Sequence, residues 1–341
     1  MTDLKIQRRS LLQSISLLAA GGGTLFRTGN LQAAVEQATQ SVDDWPEMEY
    51  RTLGNTGFKG SRLVFGCGAA LSLGQANKLL EPAFEAGINV FDVGYSSYYR
   101  DAEKNLAPFA KNHRDKIYLI SKARAGDIKA SQSINVAQAR QAASIWQRFM
   151  EESLRELDAE HVDAYYLMAV NNPELIRSEE IYKVFSNAKD AGKVSHLGIS
   201  THENAEACLL AAAETGWYSL AQIAITPRGW YDWAAKDILA GSNDMKGLRS
   251  VLDTARGAGI GLIGMKAGRH LAGRKFAGWG SPDAFDEYYP EKAMQAKLNA
   301  FQRSYAYVLA NGLDAVNADM QHWQHLRENV IAATSAQTLF V

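Results

Sequence analysis

The chain has only two cysteines, Cys67 and Cys208, and no surplus of either charge. Two thiols cannot hold an iron-sulfur cluster or a four-thiolate zinc ion, and lying in separate predicted elements they do not read as a disulfide pair. No metal site is expected. With 36 basic and 37 acidic residues spread along the chain and a formal net charge of -1, no basic face for nucleic acid or an anionic membrane is visible. Also lacking is a bilayer span, which needs about 20 apolar residues. The mildly apolar stretch from Leu11 to Phe26 is interrupted by Gln13, Ser14, Ser16 and three glycines from Gly21 to Gly23. What is present is a chain of 341 residues, 47% hydrophobic, long enough to bury a large core and suited to a small-molecule substrate.

The N-terminus, MTDLKIQRRS LLQSISLLAA GGGTLF, sets Arg8 and Arg9 before the apolar stretch and resembles a twin-arginine export signal. That implies a signal over residues 1–34 cleaved after Ala33 or Ala34, a linker over 35–48, the twin-arginine translocation machinery as a partner, and a periplasmic or otherwise exported product. A tail without export function, or an organelle presequence, is the alternative. No Cys lies near the cleavage region, so a lipid anchor is not expected.

From residue 49 onward, short apolar runs alternate with helical patterns. The runs span residues 62–67, 89–94, 117–122, 162–168, 195–200, 220–225, 260–265 and 314–318. Between them, Trp146, Met150, Leu154 and Leu157 recur at the spacing of one helix face. The segments AGIN, AGK and GAGIG at 86–89, 191–193 and 257–261 read as helix stops. Eight strand-helix units over residues 49–341 predict a (β/α)8 TIM barrel. The rival open sheet would want a G-x-G-x-x-G turn after its first strand, and GCGAALSLG at 66–74 lacks that spacing. Pro82 is expected to kink the first helix. Long aromatic connections at 227–244 and 268–290, after strands six and seven, are candidate lids.

At the ends of these runs stand Asp92, Lys122 and the tyrosines 98 and 99. Reducing a carbonyl requires a proton donor at its oxygen. A Tyr can serve, but its pKa of about 10 would need about 3 to 4 kcal/mol of preference for the phenolate to approach neutrality. A sheltered Lys, itself aimed by a carboxylate, could provide much of that.

Here the chain resembles the aldo-keto reductase family over nearly everything after residue 48. YRTLGNTGFKGSRLVFGCG (50–68), AGINVFDVGYSSYYRDAEKNL (86–106), RDKIYLISK (114–122), SLRELDAEHVDAYYLM (153–168), GKVSHLGISTH (192–202), GIGLIGMKAGR (259–269) and HLRENV (325–330) follow in that family's order. The resemblance implies an N-terminal β-hairpin ahead of the barrel, in the segment 50–68, and Asp92, Tyr98 and Lys122 as catalytic residues. A count without gaps puts the Tyr slot on Ser97, so Tyr98 is taken ahead of Tyr99 on a one-residue shift. The family's His is replaced by Met168, and His202 is a possible substitute. For the cofactor, NADP with NAD as the alternative, the resemblance implies Ser200 and Gln222 at the nicotinamide carboxamide and Met265 against the ring. It also implies Lys266, Arg269, Arg274 and Lys275 around the pyrophosphate, and Glu328 and Asn329 at the adenine end. The expected activity is hydride transfer between the nicotinamide and a carbonyl or alcohol. The alternative is a non-catalytic periplasmic binding protein on a degenerate barrel, with Trp230, Tyr231, Trp233 and Trp279 gripping a sugar or aromatic ligand.

Overall fold

Every predicted apolar run forms a strand, because each is covered on both faces, by the barrel interior on one side and by helices on the other. The computed structural model describes residues 41–272, 280–318 and 320–341. By its contacts the chain divides into Met1–Val42 and Asp43–Val341. The candidate signal and the first part of the linker, residues 35–40, lie outside the described residues, as do Arg274, Lys275 and Trp279.

In the larger unit, β1 (Tyr50–Thr52) and β2 (Lys59–Ser61) form the antiparallel hairpin. Next come β3 (Leu63–Gly66), β4 (Val90–Asp92), β5 (Tyr118–Ala123), β6 (Val162–Met168), β7 (Val194–Thr201) and β8 (Leu220–Thr226). A small hairpin of β9 (Gly229–Asp232) and β10 (Asp237–Ile238) is followed by β11 (Gly261–Met265) and β12 (Ala315–Ala318). β3 to β8 pair in parallel and in order, β8 pairs with β11, and β11 with β12, which returns to β3. The result is a closed eight-stranded parallel barrel ringed by helices. The long connection after β8 is not irregular: β9 and β10 add antiparallel to the end of β8.

Leu53, Val64, Val90, Tyr118, Ile120, Ala164, Tyr166, Leu220, Ile263 and Ala315 fill the interior. Leu53 comes from the hairpin connection, which seals the N-terminal end as Asn55 N–H donates to the Gly259 carbonyl at 2.7 Å. Gly198 is required by the Tyr166 ring, since a Cβ there would lie 2.2 Å from Tyr166 Cδ1. Outside, the helix Val136–Glu156 begins at an Asn135–Gln138 capping box and buries Trp146, Met150 and Leu154 against the sheet. Pro82 does not kink its helix. That helix begins at Leu80, so Pro82 lies in the first turn, where no backbone donor is needed.

Among the described residues no helix is long and apolar enough to cross a membrane, and no cluster of His, Cys, Asp and Glu is placed to hold a metal. Cys67 and Cys208 are both free and buried.

Barrel closure between β12 and β3 depends on Arg62, which is 1% exposed. Its Nη2 donates to the carbonyls of Leu309 and Leu313 at 2.6 and 2.9 Å, at the C-terminal end of the helix Ala300–Ala310, where a cation is favoured. Burial pulls its pKa down to about 10. Arg62→Ala would leave these carbonyls without a donor in a dry site, and equilibrium urea unfolding should show a loss of about 3 kcal/mol.

Candidate active site

The C-terminal strand ends deliver a polar layer above the apolar interior. The Lys122 ammonium donates to Asp92 Oδ1 at 2.7 Å, to Asp92 Oδ2 at 2.6 Å and to the Val93 carbonyl at 2.6 Å. Its three donors are thereby used. Two amides reach the same carboxylate from other strands: Gln222 Nε2 donates to Asp92 Oδ2 at 3.1 Å, and Asn317 Nδ2 to that oxygen at 2.5 Å. Ser200 Oγ donates to Gln222 Oε1 at 3.3 Å. Asp92 and Lys122 are 3% and 4% exposed, so the ion pair needs these donors to offset its desolvation.

Four sequence-predicted residues, Asp92, Lys122, Ser200 and Gln222, thus form one network. Asn317 was not foreseen, although the two-residue alternation of a strand puts it on the same face as inward Ala315. Gln222 is a structural partner of Asp92 as well as a candidate for cofactor contact.

The two tyrosines part company. Tyr98 is 47% exposed, edge-on to Tyr99 with centroids 4.8 Å apart, and its outer surroundings include the Arg124 guanidinium 5.8 Å from its ring. Tyr99 lies inward against two glycines: a Cβ on Gly68 would be 2.6 Å from its Cε1, and one on Gly94 3.0 Å from its Cδ2. Lys122 Nζ is 5.8 Å from the Tyr99 ring centroid. Burial, with Asp92 adding to it, pushes the Tyr99 phenol up rather than down. The expected depression by Lys122 is absent because that charge is matched by Asp92.

Met168 ends β6 and Met265 ends β11, both buried. Met265 packs with Ala224 and Tyr231 in a small apolar cluster against which Trp233 and Ile238 lie. Lys266 and Arg269 follow β11, with the Arg269 N–H donating to the Lys266 carbonyl at 2.8 Å and the Lys266 ammonium 4.3 Å from the Trp233 ring centroid. Glu328 and Asn329 sit on the last helix, Trp323–Phe340. There the Glu328 carboxylate accepts from Gln324 and its carbonyl from Gln302, and Asn329 is buried. Trp230 and Tyr231 are 2% and 1% exposed, and the Trp230 indole donates to Glu206 at 3.0 Å, so neither offers an open stacking face. His202, just past β7, is half-buried with its ring 5.8 Å from Trp233, and burial with Lys266, Lys236, Arg124 and Lys122 nearby pulls its pKa down to about 3.

Three non-glycine residues with left-handed backbone follow directly on residues of the mouth: Arg100 (φ +54°) after Tyr99, Ala169 (φ +52°) after Met168 and Lys266 (φ +65°) after Met265. Each such residue costs on the order of 1 kcal/mol and turns the chain sharply out of its strand or helix.

Behind the site, Glu103 reaches β5 from outside the barrel and accepts from Ser121 Oγ at 2.6 Å. It is fully buried, and burial pushes its pKa up from 4.5 to about 7. The native state therefore holds this proton more tightly than the unfolded chain. The associated stability is present below pH 4.5 and is lost as pH rises through about 7. Urea unfolding followed across that window should show a decline on the order of 3 kcal/mol in the wild type. In Glu103→Gln that part of the slope should vanish.

The aldo/keto reductase family model matches residues 53–265. Among solved structures, a Pseudomonas aeruginosa protein classed with the aldo-keto reductases superposes with a TM-score of 0.60 at 20% identity, covering 87% of this chain and 98% of its own. An aldo-keto reductase from Bacillus halodurans in its holo form gives 0.59 at 18% identity, covering 85% and 95%. At these identities the superpositions speak for the fold. No match was found among the curated proteins.

Proposed function

We propose, because this chain belongs to the aldo/keto reductase family and keeps a buried Lys122–Asp92 pair at its barrel mouth, that it is an oxidoreductase acting on a carbonyl or alcohol. The observation that carries the reading is the Tyr99 ring held between Gly68 and Gly94 beside Lys122. Tyr99 takes the proton-donor role in place of Tyr98, whose ring faces outward.

A neutral phenol with a raised pKa is in the right protonation state to donate to a developing alkoxide. As the proton leaves, negative charge grows near the Lys122 ammonium, whose position is fixed by three hydrogen bonds, so no reorganisation is needed at that moment. Asp92 holds Lys122, while Gln222 and Asn317 hold Asp92. Met168 adds no donor at the carbonyl oxygen, a loss worth about 2.7 to 4 kcal/mol where such a donor is present elsewhere. That slows turnover without abolishing it.

The mouth fits a nicotinamide. Ser200 keeps lone pairs and Gln222 keeps one N–H, which suit a carboxamide, beside an apolar floor at Met265. Lys266 and Arg269 suit the phosphates, and Glu328 and Asn329 the adenine end, with NADP ahead of NAD. When bound, the reduced dinucleotide supplies the hydride. Tyr99→Phe should lower kcat/KM for carbonyl reduction by about 10²- to 10⁴-fold, while Tyr98→Phe should stay within a few-fold. Steady-state kinetics of both variants checks the assignment. Equal losses, or none in either, would overturn it.

We also propose that residues 1–34 are a twin-arginine export signal ahead of the barrel domain at 49–341, with the folded protein carried to the periplasm or beyond. The paired Arg8 and Arg9 before an apolar stretch support this. Arg8→Lys with Arg9→Lys should retain the full-length chain in the cytoplasm, as read by fractionation and immunoblotting. Unchanged export would remove the signal reading.

A further inference from the structure

One imidazole at the barrel mouth is surrounded by cations from three separate segments. Arg124 lies just past β5, Lys236 in the turn between β9 and β10, and Lys266 just past β11, while Lys122 stands on β5 itself. Lys122 is matched by Asp92. Arg124 and Lys236 instead meet aromatic rings: the guanidinium is 5.8 Å from the Tyr98 centroid, and the ammonium is 3.1 Å from that of Trp233. The same indole has the Lys266 ammonium at 4.3 Å and the His202 ring at 5.8 Å.

Of the carboxylates near this group, Asp232 and Asp237 are engaged. Asp232 accepts from the backbone of Ala234 and Ala235, and Asp237 accepts from Ile238 and contacts His270 at 3.1 Å. Glu203, with Asp232, faces Lys236. Burial and the adjacent positive charges keep His202 neutral, so it retains one N–H donor without adding further charge. A group of like charges around an aromatic floor, half-buried at Lys236, Lys266 and His202 and exposed at Arg124, is repulsive when empty and attractive to an anion.

We propose that Arg124, Lys236 and His202 form an anion subsite, and that the substrate is a carbonyl compound bearing a carboxylate next to its carbonyl. This rests on the reductase reading for the carbonyl, but not for the anion. A guanidinium fork matches the two oxygens of a carboxylate. Arg124 is two residues beyond Lys122, about 7 Å along the strand, and touches Tyr98, which touches Tyr99. A carbonyl at Tyr99 therefore leaves an adjacent carboxylate within reach of Arg124. The cations assigned to the dinucleotide, Lys266 and Arg269, follow β11, four strands round the cylinder from the strand that leads to Arg124, while Lys236 shares the Trp233 indole with Lys266.

The test uses phenylglyoxylate and its uncharged methyl ester. Calorimetry on the full protein should find the acid bound at least tenfold more tightly than the ester, with the advantage shrinking as salt rises. It should disappear in Arg124→Gln/Lys236→Gln, while Arg124→Lys retains part of it. Equal binding of acid and ester, or an acid advantage that the double variant keeps, overturns the subsite. A double variant that loses affinity for NADP while keeping its acid preference also overturns it, by giving these cations to the cofactor. Reduction assays on the same pair separate the two readings. Ester reduced without an acid advantage leaves the reductase and removes the subsite; an acid advantage with neither compound reduced leaves the subsite and removes the reductase.

Discussion

Keeping an ammonium and a carboxylate together inside a closed sheet is the constraint that organises this molecule. Asp92 and Lys122 lie on adjacent strands, and each is almost wholly out of water. A pair so placed is tolerable only if its remaining donors and acceptors are met, and a half-met pair is worse than an apolar core. Val93 takes the last ammonium proton, while Gln222 and Asn317 supply the carboxylate from β8 and β12. The barrel has to be closed and in register for those amides to arrive, so the polar layer depends on the same closure that Arg62 secures at the opposite end of β3.

Above that layer the chain turns abruptly. Left-handed backbone at Arg100, Ala169 and Lys266 ends three elements at the mouth, each immediately after a residue that borders the site. Strain held by surrounding packing is a recurrent property of places that must present side chains in fixed directions. Here it carries Lys266 toward Trp233. The hairpin of β9 and β10 then brings Lys236 and Trp233 over the same opening, so the mouth has an electrostatic character that the balanced charge of the whole chain conceals.

Much of this was legible along the chain. The eight apolar runs, from 62–67 to 314–318, fall on the eight barrel strands, because a strand covered on both faces must be apolar throughout and its ends are marked by turn chemistry. Asp92 and Lys122 were legible as charges placed where an apolar run ends, and the structure pairs them. Tyr98 was taken ahead of Tyr99, since adjacent residues on a short helix point in different directions and nothing local states which one meets the two glycines. Asn317 went unseen because an amide in a strand carries no signal until a carboxylate is found across the barrel from it. Pro82 was misjudged by position alone: the helix starts two residues before it.

By itself the sequence determined the alternation of strands and helices and which charged residues stand at strand ends, because periodicity and composition are local properties. Tertiary structure decided which tyrosine lies beside the ammonium, which amides hold the carboxylate and which cations converge on His202. Those are relations between segments far apart in the chain, and only closure of the cylinder brings them within hydrogen-bonding and Coulombic range.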